Sequence, residues 1–374
     1  MVENIPCLLE GIFAAKTVKR RESVYDRDDE WKNLELFVKT RAWCTVCGLR
    51  RTGKTTLVRS VASSIKGNLV IYINAWEFPS TESFDFFLER LKEELEEILI
   101  SSKLKRILSS IKRISVLGVS LELKEKAKIK LVSALKHLTA RQPLVLIIDE
   151  AQVVLRHETA QKFLTALYDT LMPNFICILM GSVVSLKNAL STNEYRPLYG
   201  RIEEEIVLHP FDERLAKGYL IAGFNECNIE VPEEFIDEAV MRLGGFPGWL
   251  AMLGRITTRR MMMNKSINLG EIMKEIESDA SQIIYGEIAR LLRGRKNVNQ
   301  YLRIIRECAE EGEITVSRAS RIIRRSPSTT VFYLNTLVEN GVLAKRDDYY
   351  IIPDPMIRRV ARRPEFEREV KVRL

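Results

Sequence analysis

The octapeptide Gly48-Leu-Arg-Arg-Thr-Gly53-Lys54-Thr55 satisfies the spacing G-x-x-x-x-G-K-S/T. Glycines at both ends let a backbone turn inward, so that successive N–H groups at the start of a helix can face an anion. A lysine directly after the second glycine can reach the β- and γ-phosphates of a nucleotide, and the Thr55 hydroxyl can hold Mg2+. Further along, Asp149 and Glu150 end the apolar run Leu144-Val-Leu-Ile-Ile148. A carboxylate there can hold the cation, directly or through a water, while its neighbour orients or deprotonates an attacking water. These residues predict a bound nucleoside triphosphate with Mg2+, and hydrolysis rather than transfer to a hydroxyl. The Asn-Lys-x-Asp motif that specifies guanine is absent from the sequence.

Two further residues are candidates for the same chemistry. Ser182 follows the apolar run 175–180 and can contact the γ-phosphate or the water, although a Ser after Gly181 is equally a turn residue. Arg201 lies past the same run and can neutralise charge spread over the γ-oxygens; an ion pair with Glu203 or Glu204 is the alternative. Gly48, Arg50, Arg51, Thr52, Gly53, Lys54, Thr55 and Thr56 form the expected nucleotide-contacting loop, with Arg50 and Arg51 free to meet phosphate, a partner or solvent.

Positioning these groups requires strands that end where the ligand sits. The run 42–47 leads into the loop, and an amphipathic helix over 54–66 leads out and closes at Gly67. Compact β-branched runs at 69–73, 144–148 and 175–180, with a fourth strand at 205–209, alternate with helices over 84–98 and 160–171. That order predicts an α/β P-loop NTPase domain with a mostly parallel sheet, whose strands carry Gly48, Asp149 and Ser182 at their C-terminal ends. Inside an insertion at about 101–140, Val119-Ser-Leu-Glu-Leu-Lys124 alternates with period 2 and predicts a strand, followed by a helix over 124–140. From Pro210 the β-runs stop, and residues 212–293 read as about four helices interrupted by Gly244-Gly-Phe-Pro-Gly-Trp249. Helices over 299–311, 317–325 and 329–340, then a hairpin over 342–352 with an Asp-Asp turn, predict a winged helix-turn-helix. The expected domains are 1–210, 211–293 (a helical lid) and 294–374.

The chain has 374 residues, 46% hydrophobic and 29% charged, which excludes a disordered protein. No apolar run approaches a membrane span, and the N-terminus lacks a basic stretch ahead of an apolar one, so a cytoplasmic protein without a secretory signal is expected. Cys44 and Cys47 form a C-x-x-C, but in a strand expected to be buried, where core packing outweighs redox or metal work. The net charge of +8 permits nucleic-acid contact, with basic residues clustered at 103–130 and from Arg290 onward. Either cluster is equally a solvated face.

Several motifs, in order, carry a family resemblance. Asp26-Arg27-Asp28-Asp29-Glu30 resembles the opening Gly-Arg-x-x-Glu element of the archaeal ATPase family of the STAND class, relatives of AAA+ and origin-recognition ATPases. The phosphate loop with paired arginines, Ile148-Asp-Glu-Ala-Gln152, Leu198-Tyr-Gly-Arg201, Gly244-Gly-Phe-Pro-Gly248 and a terminal segment closing on Asp354-Pro355 are similar in the same order. Asp26 stands where that family usually has Gly. The resemblance implies ATP or ADP as ligand, with Pro247 packing near the adenine from the lid and Tyr25, Asp26 and Arg27 lining its other side. For the winged helix, the third helix offers Asn335 and threonines but no basic residue, whereas Arg318, Arg321, Arg324, Arg325, Lys345 and Arg346 suit phosphates. DNA and a protein surface are both candidate partners, the second slightly favoured.

Overall fold

The computed structural model describes residues 6–14, 21, 24–79, 82–98, 121–190, 197–198, 200–202 and 204–374. They divide into two compact units. One is drawn from Lys19–Gly48 and Lys54–Leu208, the other from Met1–Val18, Leu49–Gly53 and His209–Leu374.

The first unit is built on a five-stranded parallel sheet: β1 (Cys44–Gly48), β2 (Leu69–Asn74), β3 (Leu144–Asp149), β4 (Phe175–Gly181) and β5 (Glu204–Leu208), in the order β2-β3-β4-β1-β5. The three inner strands are buried along their whole length, which is why they read as continuous apolar runs. Edge strands β2 and β5 alternate instead. Successive inner-strand residues feed opposite faces. Leu146, Ile148 and Leu179 pack with Phe87, Leu91 and Leu131 on one side. Val145, Ile147 and Ile178 pack with Leu34, Leu57 and Val61 on the other. Connections from β1 and β4, which are neighbours, run to opposite edges of the sheet, so a crevice opens at their carboxyl ends.

The strand expected over 119–124 is not there. Leu121–Thr139 is one helix, and Val119 and Ser120, with the basic residues from Lys103 onward to that point, lie outside the described residues. Buried Leu131, Ala134, Leu135 and Leu138 anchor the helix to the core, and extending an anchored helix backward by a turn costs little. The short period-2 alternation carries less weight than that packing.

In the second unit, four helices (Glu213–Glu226, Glu233–Leu243, Pro247–Met262, Leu269–Leu292) precede a trio (Val298–Glu311, Val316–Ile323, Pro327–Glu339). A three-stranded antiparallel sheet, β6-β8-β7, joins the hairpin β7 (Ala344–Arg346) and β8 (Tyr349–Ile351) to β6 (Glu313–Thr315), too short to read from sequence. Side-chain oxygens of Asp212, Asn268, Thr315 and Ser326 cap their helices through backbone N–H groups three residues on. Two more helices, Pro355–Ala361 and Phe366–Val372, close the chain. The N-terminal segment belongs here as well. Cys7 and Cys227 form a disulfide, and Phe13 sits against Gly223 and Gly254, with Tyr219 and Phe224 at its edge. A Cβ on Gly223 would come within 2.3 Å of the Phe13 ring. Among the described residues no helix is long and apolar enough to cross a membrane.

Candidate functional site

In the sheet unit, the helix Lys54–Ser64 begins at the lysine of the motif. Lys54 is buried and its ammonium donates to Gly48 O (3.0 Å). At the next residue, Thr55 Oγ1 donates to Asp149 Oδ2 (3.0 Å). Tyr72 Oη donates to the same oxygen at 2.6 Å, and the Glu150 N–H donates to Asp149 Oδ1 at 3.0 Å. The register Asn74↔Asp149 puts Tyr72 two residues before the end of the neighbouring strand, close enough to meet Asp149. Burial, and then the Asp149 charge, push the Tyr72 phenol well above the usual tyrosine range, so it stays a donor. The Arg59 guanidinium lies 4.3 Å over its ring.

Glu150 sits in a left-handed turn (φ 53°) just past β3. Its Oε2 accepts from Gln152 Nε2 at 2.6 Å, and the next residue's N–H, Ala151, donates to Met180 O on β4. The motif lysine, the threonine and both acids thus lie on the ends of β1 and β3 and the start of the intervening helix. Thr55 and Asp149 present hydroxyl and carboxylate oxygens to each other, the donor set a hard divalent cation prefers. Among the described residues the donors to Asp149 are a hydroxyl, a phenol and a backbone N–H, none of them a cation. The residues fit Mg2+.

The other candidates are placed less directly. Ser182 Oγ accepts from the Ser185 N–H (3.1 Å) at the start of the helix Val183–Leu190, the turn role. Arg201 is fastened to the helix Glu158–Leu171: it forks onto Asp169 at 3.1–3.2 Å, donates to Pro197 O and lies over the Tyr168 ring. Among the described residues its carboxylate partner is Asp169 and not Glu204; Glu203 and Tyr199 lie outside the described residues. Asp26 adopts φ 45°, the conformation a glycine favours, so the turn before helix Asp28–Thr40 keeps a glycine-like backbone. Arg27 donates to Glu30 at 2.9 Å and Tyr25 is half-buried. Cys44 and Cys47 are buried, and burial pushes both thiols up, Cys47 to about 12, which leaves them inert. Among the described residues no cluster of His, Cys, Asp and Glu could hold a transition metal.

The middle of the octapeptide, Leu49–Gly53, belongs to the second unit. Thr52 is buried, its hydroxyl donating to Leu49 O. Arg51 (φ 65°) makes the principal connection. Its guanidinium stacks 4.1 Å over Trp249, donates to Glu287 at 2.8 Å, and lies 3.7 Å from Asp354. Its carbonyl accepts from the Gly248 N–H (3.1 Å), and a Cβ on Gly248 would come within 2.8 Å of Arg51 Cβ. Trp249 Nε1 donates in turn to both Asp354 oxygens (2.9 and 3.0 Å), and Asp354 caps the helix that Pro355 opens. Burial raises the Asp354 carboxyl, with Arg51 and the Trp249 donor opposing. Arg50 lies 3.6 Å from Glu287. Pro247 is the first residue of the helix carrying Trp249. Sequence reasoning assigned no role to Tyr72, Gln152, Trp249 or Glu287. Only Gln152, inside the Asp-Glu-Ala-Gln run, carried a local signal.

Fold and site together define a P-loop ATPase. A family model described as an ATPase domain predominantly from Archaea matches residues 24–253, and the chain belongs to that family. Among solved structures, the chain is similar to a Walker-type ATPase of Pyrococcus abyssi, at 26% identity and a TM-score of 0.71, covering 94% of this chain and all of that one. It also shares its fold with the ORC2 protein of Aeropyrum pernix in ADPNP–ADP complexes (13% identity, TM-score 0.60, 96% and 97% coverage). The ORC1 protein of the same organism, in complex with DNA, is similar at 13% identity and a TM-score of 0.53, covering 98% of each chain. No curated protein matches the chain.

Proposed function

We propose that this ATPase uses Mg2+ and ATP to switch the placement of its C-terminal parts, a helical lid (211–293) and a winged helix (294–374), in the manner of a STAND-class protein. The observation that carries the reading is Arg51. It is a residue of the nucleotide loop, yet its side chain is held by Trp249, Glu287 and Asp354, so a change in loop conformation is transmitted to three helices. Lys54 would approach the β- and γ-phosphates, and Thr55 and Asp149 would hold Mg2+. The cation supplies neutralisation of charge on the phosphate oxygens. Glu150, fixed beside it, orients the attacking water and takes its proton. Pro247 from the lid and Tyr25, Asp26 and Arg27 are the adenine contacts, with Arg50, Thr52, Gly53 and Thr56 completing the loop. Arg201 serves the γ-phosphate only after leaving Asp169, and Ser182 acts as a cap.

A second reading, a slow DNA-binding regulator gated by ATP, is favoured by one surface. The helix Pro327–Glu339 exposes Ser328, Thr329, Phe332 and Asn335, with exposed Arg321, Arg324 and Arg325 before it and Lys345 and Arg346 on the hairpin. Bases or phosphates suit that combination, and the ORC1 relative is a DNA complex. Steady-state ATPase rates of the wild type and Glu150→Gln, with and without duplex DNA, separate the two. A wild type turning over no faster than the mutant removes the hydrolase reading. Failure to retard duplex DNA even at low salt removes the DNA reading.

A further inference from the structure

We infer that Gln152 is a positioning residue for hydrolysis: its side-chain amide fixes the Glu150 carboxylate where the water must be met. The inference rests on the assignment of Glu150 as the base. Glu150 stands in a left-handed turn outside any helix or strand, so the aim of its side chain depends on the groups around it rather than on its own element. Freezing such a side chain costs conformational entropy, and a group left to wander reacts slowly because near-attack geometry is seldom reached. Gln152 Nε2, 2.6 Å from Glu150 Oε2, supplies a direct restraint on that oxygen. Only the amide nitrogen can face a carboxylate, so the partner fixes which way round the amide sits.

What holds Gln152 is equally specific. Its amide oxygen is buried without a hydrogen-bond partner among the described residues. That oxygen lies against Gly181, at the end of β4, where an added Cβ would come within 2.3 Å of it. Leaving a buried carbonyl oxygen unpaired is costly, yet rotating the amide would set that oxygen against the Glu150 carboxylate, so the cost is borne. The absence of a side chain on Gly181 makes room for the amide, and the Ala151 N–H on Met180 O fixes the turn between them. Strand β4 thus acts on β3's acid through Gln152.

The test is kinetic. Gln152→Met keeps the length and loses the donor; Gln152→Glu puts a like charge against Glu150. Both should lower kcat, by about 10- to 100-fold as expected for a misplaced general base, while KM and the affinity for a fluorescent ADP analogue stay within about twofold. Glu150→Gln combined with Gln152→Met should be no slower than Glu150→Gln alone. Thermal melting confirms that each variant is folded. An unchanged kcat in Gln152→Met, a fall matched by lost nucleotide affinity, or additive losses in the double variant would overturn the inference. If Glu150→Gln itself keeps the wild-type rate, the assignment of the base fails instead, a distinguishable result.

Discussion

Two buried aspartates, Asp149 and Asp354, each meet one residue of the nucleotide loop, Thr55 and Arg51, and are satisfied in opposite ways. Asp149 takes hydrogen bonds from Thr55, Tyr72 and its own neighbour's N–H, all of them neutral. Asp354 takes bonds from Trp249 and two backbone N–H groups and also faces the Arg51 guanidinium. The first meets only uncharged donors among the described residues. The second has its charge answered inside the protein. Burying a carboxylate is affordable only when something compensates it, so the difference separates a carboxylate suited to chemistry from one that holds structure. It also shows how one octapeptide serves both, with Lys54 and Thr55 on the sheet side and Arg51 on the side of Trp249.

That contrast can be broken by substitution. Asp149→Ala should lower Mg2+-dependent ATP hydrolysis by about 1,000-fold or more, the several kcal/mol a bound cation contributes. Its urea-unfolding midpoint should fall little, because hydroxyl donors can turn elsewhere. Asp354→Ala should do the reverse: it leaves the Trp249 N–H without its acceptor and removes the carboxylate facing the Arg51 guanidinium, which retains only the Glu287 carboxylate among the described residues. The expected loss is about 3–5 kcal/mol in urea unfolding, the usual cost of removing one partner of a buried pair, with residual activity scaling with the folded fraction. Equal stability losses at the two positions would erase the distinction. Tyr72→Phe is the smallest of the three. Losing one hydroxyl from Asp149 should raise the Mg2+ concentration needed for half-maximal activity about tenfold, as for other residues that orient a metal ligand; no shift would mean Thr55 and the Glu150 N–H suffice.

Local patterns carried much of this into the sequence. Inner strands β1, β3 and β4 were legible because burial on both faces demands unbroken apolar runs, and the phosphate loop because its glycines and lysine are adjacent in the chain. Asp26 shows that a position can keep a glycine's conformation while its identity hides it, since Asp tolerates φ above zero better than most residues. What stayed hidden joins distant segments. Arg51 meets Glu287 across 236 residues, and Cys7 meets Cys227 across 220. The insertion strand misled because six alternating residues cannot outweigh a helix anchored downstream by Leu131 and Leu135. The Asp169 partner of Arg201 stayed hidden because it too joins distant segments, lying on Glu158–Leu171 with another helix between them in the chain.

Hydrogen exchange is the direct test of whether the loop speaks to the C-terminal helices. In a Glu150→Gln background, which binds ATP without consuming it, adding ATP should alter amide exchange in helices Leu269–Leu292 and Pro355–Ala361. With Arg51→Ala added, ATP should still bind, and exchange in those two helices should no longer respond. An undiminished response in the Arg51→Ala protein would contradict the account.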